Sequence, residues 1–154
     1  LRPAKLRTFI AKYNEMMLSD ESGLTRLERE MIAVVVSCVN RCVYCITSHS
    51  QAVREFSGDP VLGDILVVNY REACLTTRQR AILDHAWKMT SAPAETGAAD
   101  RQALADAGLS PEEIFDVNDV IAYFNYTNRM THGLGMQPNE YYFGRNRLPD
   151  PEAG

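Results

Sequence analysis

Long apolar runs are missing from this chain. The longest, Met31 to Val36, holds six residues, far short of the roughly 18 that a membrane span requires, so no transmembrane segment and no membrane partner are expected. An excess of positive charge is missing as well. The 16 Lys and Arg stand against 20 Asp and Glu, for a net charge of -4, which leaves no basic field to gather phosphates and sets nucleic acid aside as a partner. Cysteine is sparse. Four in 154 residues do not build a disulfide-dense scaffold, and a CxxC close to a His in a reducing compartment reads as redox-active or metal-binding. No targeting signal is expected among these residues, and the cytoplasm is the expected compartment.

What is present suits a globular chain. Apolar residues make up 45% and charged ones 23%, which speaks against disorder, and residues 1–154 fit one domain with a sizeable core. The periodicity is helical. Leu6, Phe9, Ile10, Tyr13, Met16 and Met17 recur at three- and four-residue intervals and predict an amphipathic helix from Pro3 to Met17. Thr25, with Glu28 three residues on, has the form of a capping box. The helix it opens runs through Met31 and Val36 to Cys38, apolar around most of its circumference, and is expected to be central. Asn40-Arg41 predicts a break, after which a helix begins at Cys42 and stops at Gly58.

Between Asp59 and Leu75 a short helix is expected, followed by Asn69-Tyr70-Arg71. The next helix opens at Leu75-Thr76, where Leu75, Thr76 and Arg80 match Leu24, Thr25 and Arg29 at an offset of 51 residues, a hint of a repeated helical unit. A short helix over Ala98 to Ala107 and a long one from Ser110-Pro111 to His132 follow. Residues 133–154, with three Pro and the run Tyr141-Tyr142-Phe143, are expected to form an extended C-terminal arm that clamps a neighbouring subunit.

The chemistry is concentrated in Cys42-Val43-Tyr44-Cys45 and His49. At about 100° per residue, Cys42, Cys45 and His49 fall within about 60° of one another on one helix face. Glu30 precedes Cys42 by twelve residues. A continuous helix would hold it about 18 Å away along the axis, so the break at Asn40-Arg41 has to fold the second helix back along the first. Two neighbouring thiols can then cycle between dithiol and disulfide: one attacks a peroxide oxygen and becomes a sulfenic acid, and the other condenses with it and releases water. Attack needs a thiolate, whereas a free Cys with a pKa near 8.5 is mostly protonated at neutral pH. His49, held by Glu30, supplies the base. Its position one turn beyond Cys45 favours that sulfur as the one that attacks, while the positive end of the helix dipole favours Cys42.

Other polar and sulfur residues read as structural. Cys38 and Cys74 are expected in the core as small apolar side chains, His85 at the surface or in packing, and His132 beside the negative end of its helix. Asn118, Asn125 and Asn128 are expected to be internal hydrogen bonders.

The arrangement Glu30-x11-Cys42-x-Tyr44-Cys45-x3-His49 resembles the active-site signature of the AhpD-like alkylhydroperoxidases, within the carboxymuconolactone decarboxylase superfamily. Leu24 to Ala33 and Tyr123 to Arg129 resemble the peroxidase-related branch, and the likeness spans most of residues 1 to 145. It implies an all-α fold, a homo-oligomer (trimer or hexamer) and thiol-dependent reduction of hydrogen peroxide or organic hydroperoxides without a cofactor. By the same resemblance Cys42 and Cys45 are the redox pair, and Glu30 with His49 is the proton relay. Tyr44 stands where some members carry a His that assists the relay. In the best-known members electrons arrive from a lipoylated protein or pass to a peroxiredoxin, so the implied partner is a dithiol reductant or redox protein. A rival reading uses the same side chains differently: Cys42, Cys45, His49 and Glu30 are also the right types for a tetrahedral zinc site, as in a structural or redox-sensing module without turnover.

Overall fold

The structure, a computed structural model, describes residues 2–147, and every regular element among them is helical. The helices are Pro3–Leu18 (α1), Arg26–Val39 (α2), Val43–Ser57 (α3), Leu62–Asn69 (α4), Thr77–Ser91 (α5), Ala98–Asp106 (α6), Pro111–Gly133 (α7) and Tyr141–Gly144 (α8). The expected all-α class holds. None of these helices is long and apolar enough to cross a membrane.

Helix α2 is the axis around which the others assemble. Its start is fixed as the capping box predicts: the Thr25 amide donates to Glu28 Oε2 at 2.8 Å, and the Glu28 amide donates to Thr25 Oγ1 at 3.2 Å. Every residue from Glu28 to Ser37 is buried, because α3, α5 and α7 close on α2 from different sides. The apolar run Met31 to Val36 supplies the centre of the core, each such side chain stabilising the fold by about 1.5–3 kcal/mol when taken fully out of water. The all-round apolar pattern thus follows from having neighbours on all sides.

The 51-residue echo has a structural counterpart. Thr76 and Gln79 form the same capping box on α5. Arg29 donates to the carbonyls of Leu24, Met16 and Ser19, and Arg80 donates to those of Tyr70, Arg71 and Ala73. In both places one guanidinium gathers the free carbonyls of the segment that leads into the helix, and so anchors the approach.

Helix α3 stops at Gly58, whose φ of +68° is the left-handed conformation that favours glycine at a helix end. The chain then turns into α4, and Gly63 lets the two helices cross closely. A Cβ at residue 63 would lie 2.5 Å from the Ser50 carbonyl oxygen, which is backbone and has no easy retreat. Gly63→Ala is therefore expected to cost about 1–3 kcal/mol, the usual penalty of overpacking, read as a lower thermal midpoint. An unchanged midpoint would show that α4 can slide.

The tail departs in part from the extended form expected. It contains the turn α8, and up to Arg147 it is seated on α3 of its own chain. Arg54, whose side chain is fully buried, donates to the carbonyl oxygens of Tyr142 and Arg145 at 3.3 and 3.0 Å. Asn146 donates to Glu55 and Arg147 pairs with Asp64. The rest of the expected arm, residues 148–154, lies outside the described residues. A second departure is Cys74, which is exposed rather than in the core. It sits in the short connection between the 3-10 turn Tyr70–Glu72 and α5, where the helical periodicity that would have assigned it a face is absent.

Candidate active site

The site is built on the reversal between α2 and α3. Asn40 ends α2, Arg41 adopts a left-handed backbone at φ +54°, and Cys42 is extended. Cys42 is therefore the N-cap of α3 rather than its first helical residue, one position earlier than the sequence suggested. A left-handed non-glycine residue is uncommon, and here α7 holds it in place. The Asn40 side-chain amide donates to Asn125 Oδ1 at 3.0 Å and to Asn128 Oδ1 at 2.9 Å, while His132 Nε2 donates to the Asn40 carbonyl at 3.1 Å. The Cys42 amide donates to the Ser37 carbonyl at 2.9 Å. Two of the amides expected as internal hydrogen bonders, Asn125 and Asn128, thus clasp the turn that carries the first cysteine, and His132 joins them, whereas Asn118 bonds His85 instead.

Folding back brings Glu30 to His49, with Oε2 and Nδ1 2.5 Å apart. Only 1% of Glu30 is exposed, so the solvated carboxylate that an acid near the start of a helix would ordinarily be is not what forms. Its other oxygen, Oε1, accepts from Arg26 Nε at 2.9 Å and lies 2.7 Å from Nη2. Burial alone would raise the pKa of this carboxyl, but His49 and Arg26 outweigh burial and hold it below its usual 4.5. Glu30 is accordingly a carboxylate at neutral pH and can only accept, so Nδ1 of His49 carries the proton and its Nε2 keeps a lone pair in the neutral ring. Phe124 meets the imidazole edge-on at 4.6 Å between centroids, fixing its plane. Arg26 is anchored in turn by the Met17 carbonyl at 2.7 Å.

Both sulfurs are buried, Cys42 at 1% and Cys45 at 4% exposure. They are neighbours, and burial followed by the presence of Cys42 pushes the Cys45 thiol up to about 12. Two groups on α7 pull the other way: Thr131, whose Oγ1 lies 3.8 Å from Cys45 Sγ, and Asn128. At rest Cys45 is therefore a protonated thiol, and a base on its own helix, one turn on, has a proton to take. Cys38, one turn before Cys42, is half-buried against the core. Burial raises its thiol to about 11.

Of the residues singled out from sequence, Glu30 and His49 meet directly, and Cys42 and Cys45 meet each other one helical turn away. Tyr44 does not join the carboxylate–imidazole pair. Among the described residues its phenol makes no hydrogen bond, and it is raised by burial, then by Tyr142 of the arm and by Cys45. Nor do Cys42, Cys45, His49 and Glu30 converge as a metal cage: no group of three or more His, Cys, Asp or Glu side chains among the described residues is placed to hold a metal ion. Both Glu30 oxygens already serve His49 and Arg26. Sequence reasoning missed Arg26 and Thr131. Arg26 has a signal, its position four residues before Glu30 on one helix face. Thr131 has none.

Known proteins share this arrangement of helices. Residues 4–61, which hold Glu30 and the whole CxxC-x3-His segment, match the Carboxymuconolactone decarboxylase family. The crystal structure of an uncharacterized peroxidase-related protein from Silicibacter sp. TM1040 is 51% identical over 95% of this chain and 76% of that one, with a TM-score of 0.92. An alkylhydroperoxidase AhpD core protein from Ralstonia eutropha JMP134, also described as an uncharacterized peroxidase-related protein, is 40% identical over 97% of this chain and 78% of that one, again with a TM-score of 0.92. A protein of unknown function from Agrobacterium tumefaciens, at 24% identity, shares the fold with a TM-score of 0.77 over 90% of this chain and 92% of that one. No curated protein matches the chain.

Proposed function

The chain belongs to the AhpD-like, peroxidase-related group of the carboxymuconolactone decarboxylase superfamily, and from that membership we propose that it is a thiol peroxidase acting on hydrogen peroxide or organic hydroperoxides. The observation that carries this reading is the buried Glu30–His49 pair at 2.5 Å, one helical turn from Cys45, which has Cys42 as its neighbour. A carboxylate-oriented imidazole beside a thiol that is protonated at rest is what base-assisted attack requires.

The cycle balances as follows. His49 takes the proton of one thiol, and the resulting thiolate attacks the distal oxygen of ROOH. The O–O bond breaks, the alkoxide leaves and takes a proton to become ROH, and the sulfur becomes a sulfenic acid. The second thiol displaces hydroxide, which is protonated to water, and the Cys42–Cys45 disulfide forms. An external dithiol then reduces the disulfide by two successive exchanges and is itself oxidised. A lipoylated protein has this chemistry, and a reducing compartment such as the cytoplasm supplies it; a peroxiredoxin would instead stand downstream, its disulfide taking the electrons of the reduced Cys42–Cys45 pair. A homo-oligomer, trimer or hexamer, is supported by the exposed apolar residues Leu6 and Ile10 on α1, Tyr126 and Met130 on α7, and Leu134 just beyond its end. Phe9 and Tyr126, with ring centroids 6.2 Å apart, join the two helices.

Cumene hydroperoxide supplied with a panel of dithiol reductants tests the reading. Expected are repeated turnovers with at least one reductant and one cumyl alcohol formed per hydroperoxide lost. Failure of every dithiol to support turnover, with stoichiometric zinc in protein purified without chelator, would instead favour the metal-site reading.

A further inference from the structure

Helix α7 lies outside the segment that matches the family, yet one of its side chains reaches the redox pair. We infer that Thr131 belongs to the catalytic machinery: its hydroxyl donates to the Cys45 sulfur as it becomes anionic, and so selects Cys45 as the sulfur that attacks. The inference rests on the peroxidase reading for the word attack, but the donation itself is independent of it.

Thr131 Oγ1 is 3.8 Å from Cys45 Sγ, and that sulfur is its only hydrogen-bond partner among the described residues. With Cys45 protonated, either atom can donate. Once the proton leaves, the sulfur can only accept, and the hydroxyl rotates to donate. Asn128, one turn before Thr131 on α7, is fully buried and held by its own partners: its Oδ1 accepts from Asn40 at 2.9 Å and its Nδ2 donates to Ser37 Oγ at 3.0 Å. A prepositioned hydroxyl on a buried sulfur stabilises developing negative charge without reorganisation.

Cys42 has no such support. It occupies the N-cap of α3 but makes no capping hydrogen bond to the helix amides, and among the described residues no hydroxyl or amide side chain donates to it. The helix terminus that favours Cys42 on sequence grounds is thus not engaged by its side chain. Cys45 alone has a base one turn on along α3 and a donor from α7.

The test separates donation from packing. In a Cys42→Ser background the neighbour that raises Cys45 is gone, which leaves burial opposed by Thr131 and Asn128. The pH dependence of Cys45 alkylation by iodoacetamide is then measured with Thr131, Thr131→Val and Thr131→Ser. Valine keeps the shape and removes the donor; serine keeps the donor. We expect the alkylation midpoint to move to higher pH with valine and to return with serine. On a chain with both cysteines, sulfenate formation in a single turnover should be about 10- to 100-fold slower with valine, the rate equivalent of one charge-assisted hydrogen bond. Circular dichroism and the thermal midpoint establish that each variant is folded. An alkylation midpoint that valine leaves unmoved overturns the inference, as does a dimedone adduct found on Cys42 instead of Cys45 after one equivalent of hydroperoxide. A parent chain that consumes no hydroperoxide would refute the peroxidase reading, and the alkylation series would still decide whether Thr131 donates.

Discussion

Serine at position 45 abolishes hydroperoxide consumption, whereas serine at position 42 leaves one equivalent consumed per chain when no reductant is present. The difference follows from which sulfur has a base beside it. A serine hydroxyl at residue 45 keeps hydrogen-bonding capacity toward Thr131, but an alcohol oxygen does not attack a peroxide as a thiolate does, and the Cys42 that remains lies at the far end of the pair from His49. With Cys42→Ser the attack proceeds and halts at the sulfenic acid, because no second thiol is there to form the disulfide. Residual peroxide measured at stoichiometric protein distinguishes the two. Equal consumption by both variants would remove the asymmetry, and parental turnover by both would remove the chemistry.

The second large effect is expected at Glu30. Glu30→Gln preserves volume but can turn its amide toward the ring, donate to Nδ1 and so force the proton onto Nε2, the nitrogen that has to accept one from the thiol. The loss should approach the whole contribution of a general base, about 10²–10⁴-fold in kcat/KM. The same change should lower stability by about 1.5–3 kcal/mol, as for hydrogen bonds to a charged group, and toward the lower figure because the Arg26 side chain is still 24% exposed and can recover some hydration. Burial, which opposes the carboxylate, is outweighed by His49 and Arg26, so the folded pKa lies below 4.5. A depressed carboxyl stabilises the fold above its unfolded value and loses that contribution as the pH falls through the folded one. The gap in urea midpoint between parent and variant should therefore be full at pH 7 and shrink on acidification below 4.5. A gap that stayed constant into acid would show that the ion pairs contribute nothing to the fold.

These expectations rest on features that sequence exposes unevenly. Helix starts were legible where side chains close on their own backbone, as at Thr25 with Glu28 and Ser110 with Glu113. So was the meeting of Glu30 with His49, because a two-residue break between strongly periodic segments leaves little choice but reversal. The placing of Cys42 as the first helical residue was off by one, since it is the N-cap, because nothing in an Arg at position 41 announces a left-handed backbone. Thr131 escaped altogether. Its partner is 86 residues away, and a single long-range hydrogen bond leaves no period, cap or spacing to read. The seat of the tail on its own α3 was not legible for a different reason: it depends on Arg54, which sits unremarkably in the last turn of α3.

The clasp on Asn40 also sets an order of events at synthesis. Its amide is held by side chains 85 and 88 residues further along the chain, so a nascent polypeptide that has released α2 and α3 from the ribosome already carries both sulfurs but lacks the partners that aim them. Until α7 emerges, the pair has neither the fixed turn nor the Thr131 hydroxyl at Cys45. Reactivity is thereby deferred to the completed chain, and a half-made protein carries two cysteines that behave like any others.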